Sequence, residues 1–239
     1  MEDLRGDLHA HIKATDGHAT LEEMAKTAKK HGYDYLAITD HSKKVAMAHG
    51  LDAKRLTEQI KEIDHLNDNL KGMVLLKGIE VDILKDGSLD LSDDILKELD
   101  LVVCSVHYHR ELSKEKMTER VLRAMDNPYF NIFAHPTGRL INERDPYEID
   151  LEKIMEGAKE SGCFLEINSY PDRLDLSDSH AKMAKDMGLK LAISTDAHSI
   201  ADLDFIRYGI DQARRGWLET DDVINTRSLE QLRKLLKRK

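Results

Sequence analysis

Tyr35-Leu36-Ala37-Ile38-Thr39-Asp40-His41 is the stretch that decides the fold. Its apolar residues run on without alternation, as in a strand covered on both faces, and it stops on a threonine, an acid and an imidazole. The same phrasing recurs along the chain. His9-Ala10-His11, the end of Leu75-Leu76-Lys77-Gly78-Ile79-Glu80, Ser105-Val106-His107, Ala134-His135-Pro136 and Ser194-Thr195-Asp196-Ala197-His198 all fall where a β-type run gives out. A core has no reason to end its strands this way. A metal site does, because imidazoles and carboxylates from several strand ends can converge on one point.

Apolar runs predict strands over 6–9, 35–39, 73–81, 101–106, 131–134, 163–168 and 189–194. Helical patterns fill the gaps. Thr20 with Glu23 forms a capping box, and Gly32 closes that helix. Asp52 opens a second helix with Leu56, Ile60, Ile63 and Leu70 on one face. Further helices are predicted over 113–125, 151–160 and 177–187, the last closed by Gly188. Ser228 with Gln231 caps a final helix ending in Lys-Arg-Lys. Repeated strand–helix alternation implies a parallel sheet with right-handed crossovers. An open doubly wound sheet would hold its outer strands too far apart, since neighbours are spaced by ~4.8 Å. Ligands from six strand ends can meet only if the sheet closes, so the expectation is an α/β barrel with its site at the C-terminal mouth. No linker or internal repeat interrupts the pattern, and residues 1–239 read as one domain.

Composition narrows the function classes. The net charge of -9 lowers the expectation of a protein that grips nucleic acid, and 5% aromatic residues leave few rings for stacking bases. Cys104 and Cys163 lie in apolar runs and read as buried thiols, with no C-x-x-C spacing. The start Met1-Glu2-Asp3-Leu4-Arg5 has no apolar leader, and no apolar run approaches the ~18 residues of a membrane helix. The expected location is the cytoplasm. There is no G-x-S-x-G, Walker A or dinucleotide fingerprint.

Nine residues are candidate metal ligands: His9, His11, Asp16, His41, Glu80, His107, His135, Asp196 and His198. Residues two apart on a strand share a face, so His9 and His11 can reach one ion, as can Asp196 and His198. Asp16 sits in an Asp-Gly turn. Asp40 is placed to orient the His41 ring. Glu80 ends so apolar a run that it must be paired or metal-bound, and a carboxylate can bridge two ions. Taken singly, His107 and His135 read more often as hydrogen-bonded mouth residues than as ligands, and Asp16 as a turn residue; the joint pattern favours a site. The other six of the 12 histidines lack this placement and read mostly as surface residues. Lys43, Arg139 and Arg173 lie just past ligand-bearing segments, as phosphate clamps or as solvated loop charges.

These motifs resemble the PHP (polymerase and histidinol phosphatase) domain family. The likeness extends from Arg5-Gly6-Asp7-Leu8-His9 through Ala134-His135-Pro136-Thr137-Gly138-Arg139-Leu140 and Arg173-Leu174-Asp175-Leu176 to Asn225-Thr226-Arg227-Ser228-Leu229. It is strongest to the PHP domain at the C-terminus of bacterial and archaeal family X DNA polymerases. The resemblance implies a distorted seven-stranded TIM-like (βα)7 barrel and a centre of three divalent ions, Zn²⁺, Mn²⁺ or Fe. It assigns His9, His11, Glu80 and Asp196 to one ion, Glu80, His107 and His135 to a second, and Asp16, His41 and His198 to the third. Nothing resembles a polymerase core, and Met1 with the well-formed last helix reads as a free-standing protein rather than an excised domain.

The expected function is a metal-dependent phosphoesterase acting on a small phosphate ester, with Glu80, His107 and His198 as catalytic residues. The alternatives are a nuclease working on single-stranded or 3′-end nucleic acid, a non-catalytic metal-stabilised module, and an amidohydrolase. The amidohydrolases also open with H-x-H but often carry a lysine where this chain has Ser105-Val106-His107.

Overall fold

Parallel strands follow one another around the sheet in chain order: β1 (Gly6–Asp7), β2 (Tyr35–Ile38), β3 (Val74–Asp82), β4 (Leu101–Ser105), β5 (Ile132–Phe133), β6 (Phe164–Asn168) and β7 (Leu191–Ser194). These are seven among the described residues of the computed structural model, which are 3–237. Met1-Glu2 and the last two residues of the predicted Lys-Arg-Lys ending lie outside them. Each strand pairs with its chain neighbours, and the sheet curls into a nearly closed barrel.

Eight helices among the described residues accompany the strands: α1 (Leu21–Lys30), α2 (Ala53–Asn67), α3 (Asp93–Leu96), α4 (Lys114–Met125), α5 (Leu151–Ser161), α6 (Asp178–Asp186), α7 (Ile206–Arg215) and α8 (Leu229–Leu236). The predicted caps hold. Thr20 and Glu23 form the capping box of α1, Ser228 and Gln231 that of α8, and Asp52 accepts from Arg55 N at the start of α2. Gly32 follows the end of α1 at φ 79°, a conformation few other residues adopt cheaply.

Two helices went unpredicted. The four-residue α3 is too short for a periodic signal. The longer α7 begins on Phe205, which offers no side-chain cap, and continues from a 3-10 turn at Asp202–Phe205. Without a polar start signal its onset is not legible.

β1 and β7 do not pair as strands, and side-chain bonds together with a backbone bridge at the mouth close the gap between them. At one end Asn225 donates to Gly6 O (2.8 Å) and Ile193 O (2.7 Å), while its Oδ1 accepts from Ile193 N (3.0 Å). Further along, buried Asp7 accepts from Thr195 N (3.1 Å) and the Thr195 hydroxyl. At the mouth His11 N donates to Ala197 O (2.8 Å). Inside, Leu8, Tyr35, Ala37, Val103, Ile132 and Ala192 pack with Ile224, Leu232 and Leu236, so α8 seals the end where the strands begin. That leaves the C-terminal ends for chemistry.

Candidate metal centre

The nine predicted ligands converge in that mouth. Glu80, near the end of β3, is the hub. Its Oε2 lies 2.8 Å from His41 Nδ1, 3.5 Å from His9 Nε2 and 3.7 Å from His11 Nε2. Its Oε1 lies 2.9 Å from His135 Nε2 and 3.5 Å from His107 Nε2. Asp196 Oδ1 stands 3.1 Å from His11 Nε2 and 3.5 Å from His9 Nε2. At the rim, Asp16 Oδ2 is 3.3 Å from His41 Nε2 and 3.6 Å from His198 Nε2. Three groups have donor atoms within 4.8 Å of one another: His11, Asp16, His41 and His198; His9, His11 and Asp196; His41, Glu80 and His107. His9, His11, Glu80 and His135 are buried, whereas the side chains of His107, His198 and Asp16 are 19%, 28% and 35% exposed. The site is therefore sealed beneath and open above.

Local backbone sets these side chains. His9 and His11 lie past β1 on either side of Ala10, which bridges to Ala197, and the ring of His11 stacks on that of His198 at 4.3 Å. His135 and Asp196 hold positive φ values of 28° and 56°, unusual for non-glycine residues. The Glu166 carboxylate accepts from His135 N at 2.8 Å and so supports this backbone.

The electrostatics follow from three carboxylates among six imidazoles. Burial works against protonating His41 and His198, but Glu80 and Asp16 outweigh it at His41, and Asp16 and Asp196 at His198. These rings are raised to about 10 and about 9. Burial and the neighbouring imidazoles push His11 down to about 3. Burial alone would raise Glu80 and Asp196, yet the surrounding rings hold both well below the usual carboxylate range.

A bound cation fits this cluster. Among the described residues, His9 Nε2, His11 Nδ1, Asp16 Oδ1, His41 Nδ1 and Glu80 Oε2 are buried without a hydrogen bond. Buried polar atoms seldom go without one. His41 Nδ1 and Glu80 Oε2 face each other at 2.8 Å. Imidazole and carboxylate together suit transition metals better than the all-oxygen shells of Mg²⁺ or Ca²⁺.

Several supporting residues escaped the sequence reading. Glu166, buried on β6, holds His9 Nδ1 at 2.8 Å. Asp82 lies 3.1 Å from His107 Nδ1. Asn168 donates to Asp196 Oδ2 (3.0 Å) and to Glu166 Oε2 (3.1 Å). Such partners fix ring orientation and ligand basicity. A signal was present: Glu80/Asp82 and Glu166/Asn168 repeat the two-residue spacing of His9/His11 within apolar strands.

One expectation needs correction. The Asp40 carboxylate does not bond the His41 ring; it accepts from Ile12 N (3.0 Å), the Thr15 hydroxyl and Gln59 Nε2 (2.5 Å), which ties the first loop to α2. Arg139 donates through Nε to Arg173 O (2.7 Å) and through Nη2 to Leu174 O. It shapes the loop that carries Arg173. Arg173 itself reaches the site, with Nε 3.5 Å from Asp196 Oδ2 and Nη1 buried without a partner. Lys43 stands exposed two residues past His41. Cys104 and Cys163 are buried, as expected. No helix among the described residues is long and apolar enough to cross a membrane.

Comparison with known proteins agrees with this geometry. The model of the PHP domain matches residues 7–170. The chain is 45% identical over 235 residues to the DNA polymerase/3′-5′ exonuclease PolX of Bacillus subtilis (strain 168), covering 98% of this chain but only 41% of that protein. It is 33% identical to a probable phosphatase of Thermoanaerobacter sp. (strain X514), covering 92% of this chain and 89% of that one. Among solved structures, histidinol phosphate phosphatase from Lactococcus lactis, complexed with zinc, L-histidinol and phosphate, shares the fold. Its TM-score is 0.62 at 16% identity, over 90% of this chain and 94% of that one. The chain belongs to the PHP domain family.

Proposed function

We propose that the chain hydrolyses small phosphate esters at a three-ion centre held by the nine strand-end ligands, with Zn²⁺, Mn²⁺ or Fe as the ions. The observation that carries this reading is the set of buried, unpartnered donor atoms around Glu80. Divalent ions bound there would supply Lewis acidity, lowering the pKa of a water and offsetting phosphate charge. The chain's own residues supply the rest. Glu80 gives a negative charge shared by five imidazoles and so joins the parts of the centre into one unit. Arg173 binds non-bridging phosphate oxygens through its unpartnered Nη1, since a guanidinium matches phosphate geometry. His107 and His198, the half-open rings, meet the leaving oxygen as it departs toward solvent, and Lys43 contributes charge at the rim.

A second reading, 3′-end hydrolysis of single-stranded nucleic acid, is favoured by one observation. Tyr170 meets the His198 ring edge-on at 6.5 Å, and Phe205 and Tyr208 continue outward at 5.4 Å and 6.1 Å. Arg207 lies over Tyr208 at 4.6 Å. Bases stack on such aromatic runs. The net charge of -9 opposes a long polyanion.

The deciding measurement is kcat/KM on phosphomonoesters and on single-stranded oligonucleotides, with one reconstituting metal at one ionic strength. We expect two to three transition-metal ions per chain and faster monoester turnover. Fewer than one ion per chain would sink the multinuclear centre, and more efficient 3′-end degradation would move the assignment to nucleic acid.

A further inference from the structure

A groove of about 540 Å³ leads away from the metal centre, starting at His107 and lined by Tyr108, Arg110, Arg144 and Tyr147. Arg110 and Arg144 are half-buried, and neither has an ion-pair partner among the described residues. That is uncommon for guanidinium groups taken partly out of water. Arg144 donates through Nε (3.0 Å) and Nη2 (2.8 Å) to Gly138 O, which anchors it without neutralising it. Burial first, and then the charges of Arg110 and Arg173, push Arg144 down to about 10, so the three guanidinium groups sit in one repulsive field. The groove also carries two acids, Glu111, 3.6 Å from His109 Nδ1, and Asp145, and among the described residues neither forms an ion pair with Arg110 or Arg144. A chain of net charge -9 thus places two guanidinium groups without ion-pair partners, among the described residues, in the groove that starts at His107.

We propose that Arg110 and Arg144 form a second anion subsite, so that the substrate is a phosphate ester bearing a further phosphoryl group. This rests on the phosphoesterase reading of the metal centre. The scissile group sits at the ligands and Arg173, while the second group lies in the groove and meets the guanidinium of Arg110 and the Nη1 of Arg144, whose Nε and Nη2 already hold Gly138 O. The protein meets that second charge with fixed cations, where a neutral or singly charged tail would leave them unpaired. Substrates lacking the second group lose that interaction and with it the positioning of the ester.

Two measurements test the subsite. Pyrophosphate binding to the metal-stripped protein, followed by calorimetry, reads the groove without any turnover. It should weaken at least about 10-fold, or about 1.4 kcal/mol, in Arg110→Gln. Arg144→Gln should act in the same direction, and circular dichroism would show whether loss of its bonds to Gly138 O disturbs the fold. With the metal restored, wild type should prefer a hexose bisphosphate to the corresponding monophosphate by kcat/KM, and Arg110→Gln should reduce that ratio by a similar factor. A 5′-phosphorylated dinucleotide distinguishes the source of the second group: preference for it over the bisphosphate would assign the groove to the neighbouring phosphate of a strand. Unchanged pyrophosphate binding in both variants, or equal losses on mono- and bisphosphate, would overturn the subsite. Retained pyrophosphate binding with no turnover of any ester would instead overturn the phosphoesterase reading.

Discussion

Glu80 and Glu166 are both carboxylates buried within strands, and their surroundings separate their roles. Glu80 has five imidazole nitrogens within 3.7 Å. Glu166 bonds one ring nitrogen, His9 Nδ1, and otherwise accepts from His135 N and Asn168 Nδ2. Removing the Glu80 charge should therefore disturb the whole centre, whereas removing that of Glu166 should loosen one ring. We expect Glu166→Gln to cost about 10–100-fold in metal affinity, the range for a residue acting through a ligand. Glu80→Gln should cost more and abolish turnover in a folded protein. Chelator-competition titrations with circular dichroism compare the two, and equal losses would make Glu166 a ligand itself. At this scale the sequence was legible where a polar residue interrupts an apolar run, as at Glu80. Arg139 was not, because nothing local says whether a guanidinium meets a ligand or a carbonyl 34 residues away.

Among the elements, the seam between β1 and β7 is where a single residue does most. Asn225 supplies hydrogen bonds that a continuous ladder would otherwise make, to Gly6 O, Ile193 O and Ile193 N. Asn225→Ala would strand a buried N–H and two carbonyls. Each unsatisfied group costs about 1–3 kcal/mol, though not additively, so a destabilisation of about 3 kcal/mol is expected in urea unfolding. Asn225→Asp keeps an acceptor for Ile193 N but sets a buried carboxylate against two carbonyl oxygens, and should cost at least as much. A change below about 0.5 kcal/mol, ordinary for a surface site, would mean that Asp7, Thr195 and Ala197 hold the seam without it.

For the whole molecule, the centre couples folding to metal and to pH. A ligand that binds only the folded state stabilises it by about 2.7 kcal/mol at 100 times its Kd. Chelation should therefore lower Tm. The sign of the pH effect follows from the imidazoles: His41 and His198 are raised to about 10 and about 9 in the metal-free protein. Ions must displace those protons, so affinity rises as pH rises toward those values. The Tm difference between loaded and stripped protein should be larger at pH 8 than at pH 6. The reverse order would mean that these rings are not ligands.

The sequence by itself determined the barrel and its mouth. Unbroken apolar runs require two covered faces, the strand–helix alternation requires parallel crossovers, and polar endings on successive strands require one shared point. Those are local patterns, and local patterns survive in a linear reading. Only the tertiary structure decided what closes the barrel, which carboxylate holds which imidazole, and which arginines remain unpaired. Asn225 meets Gly6 across 219 positions and Glu166 meets His9 across 157. A hydrogen bond of that span depends on where the sheet's curvature brings two strands together, and no residue type or spacing near either end records it.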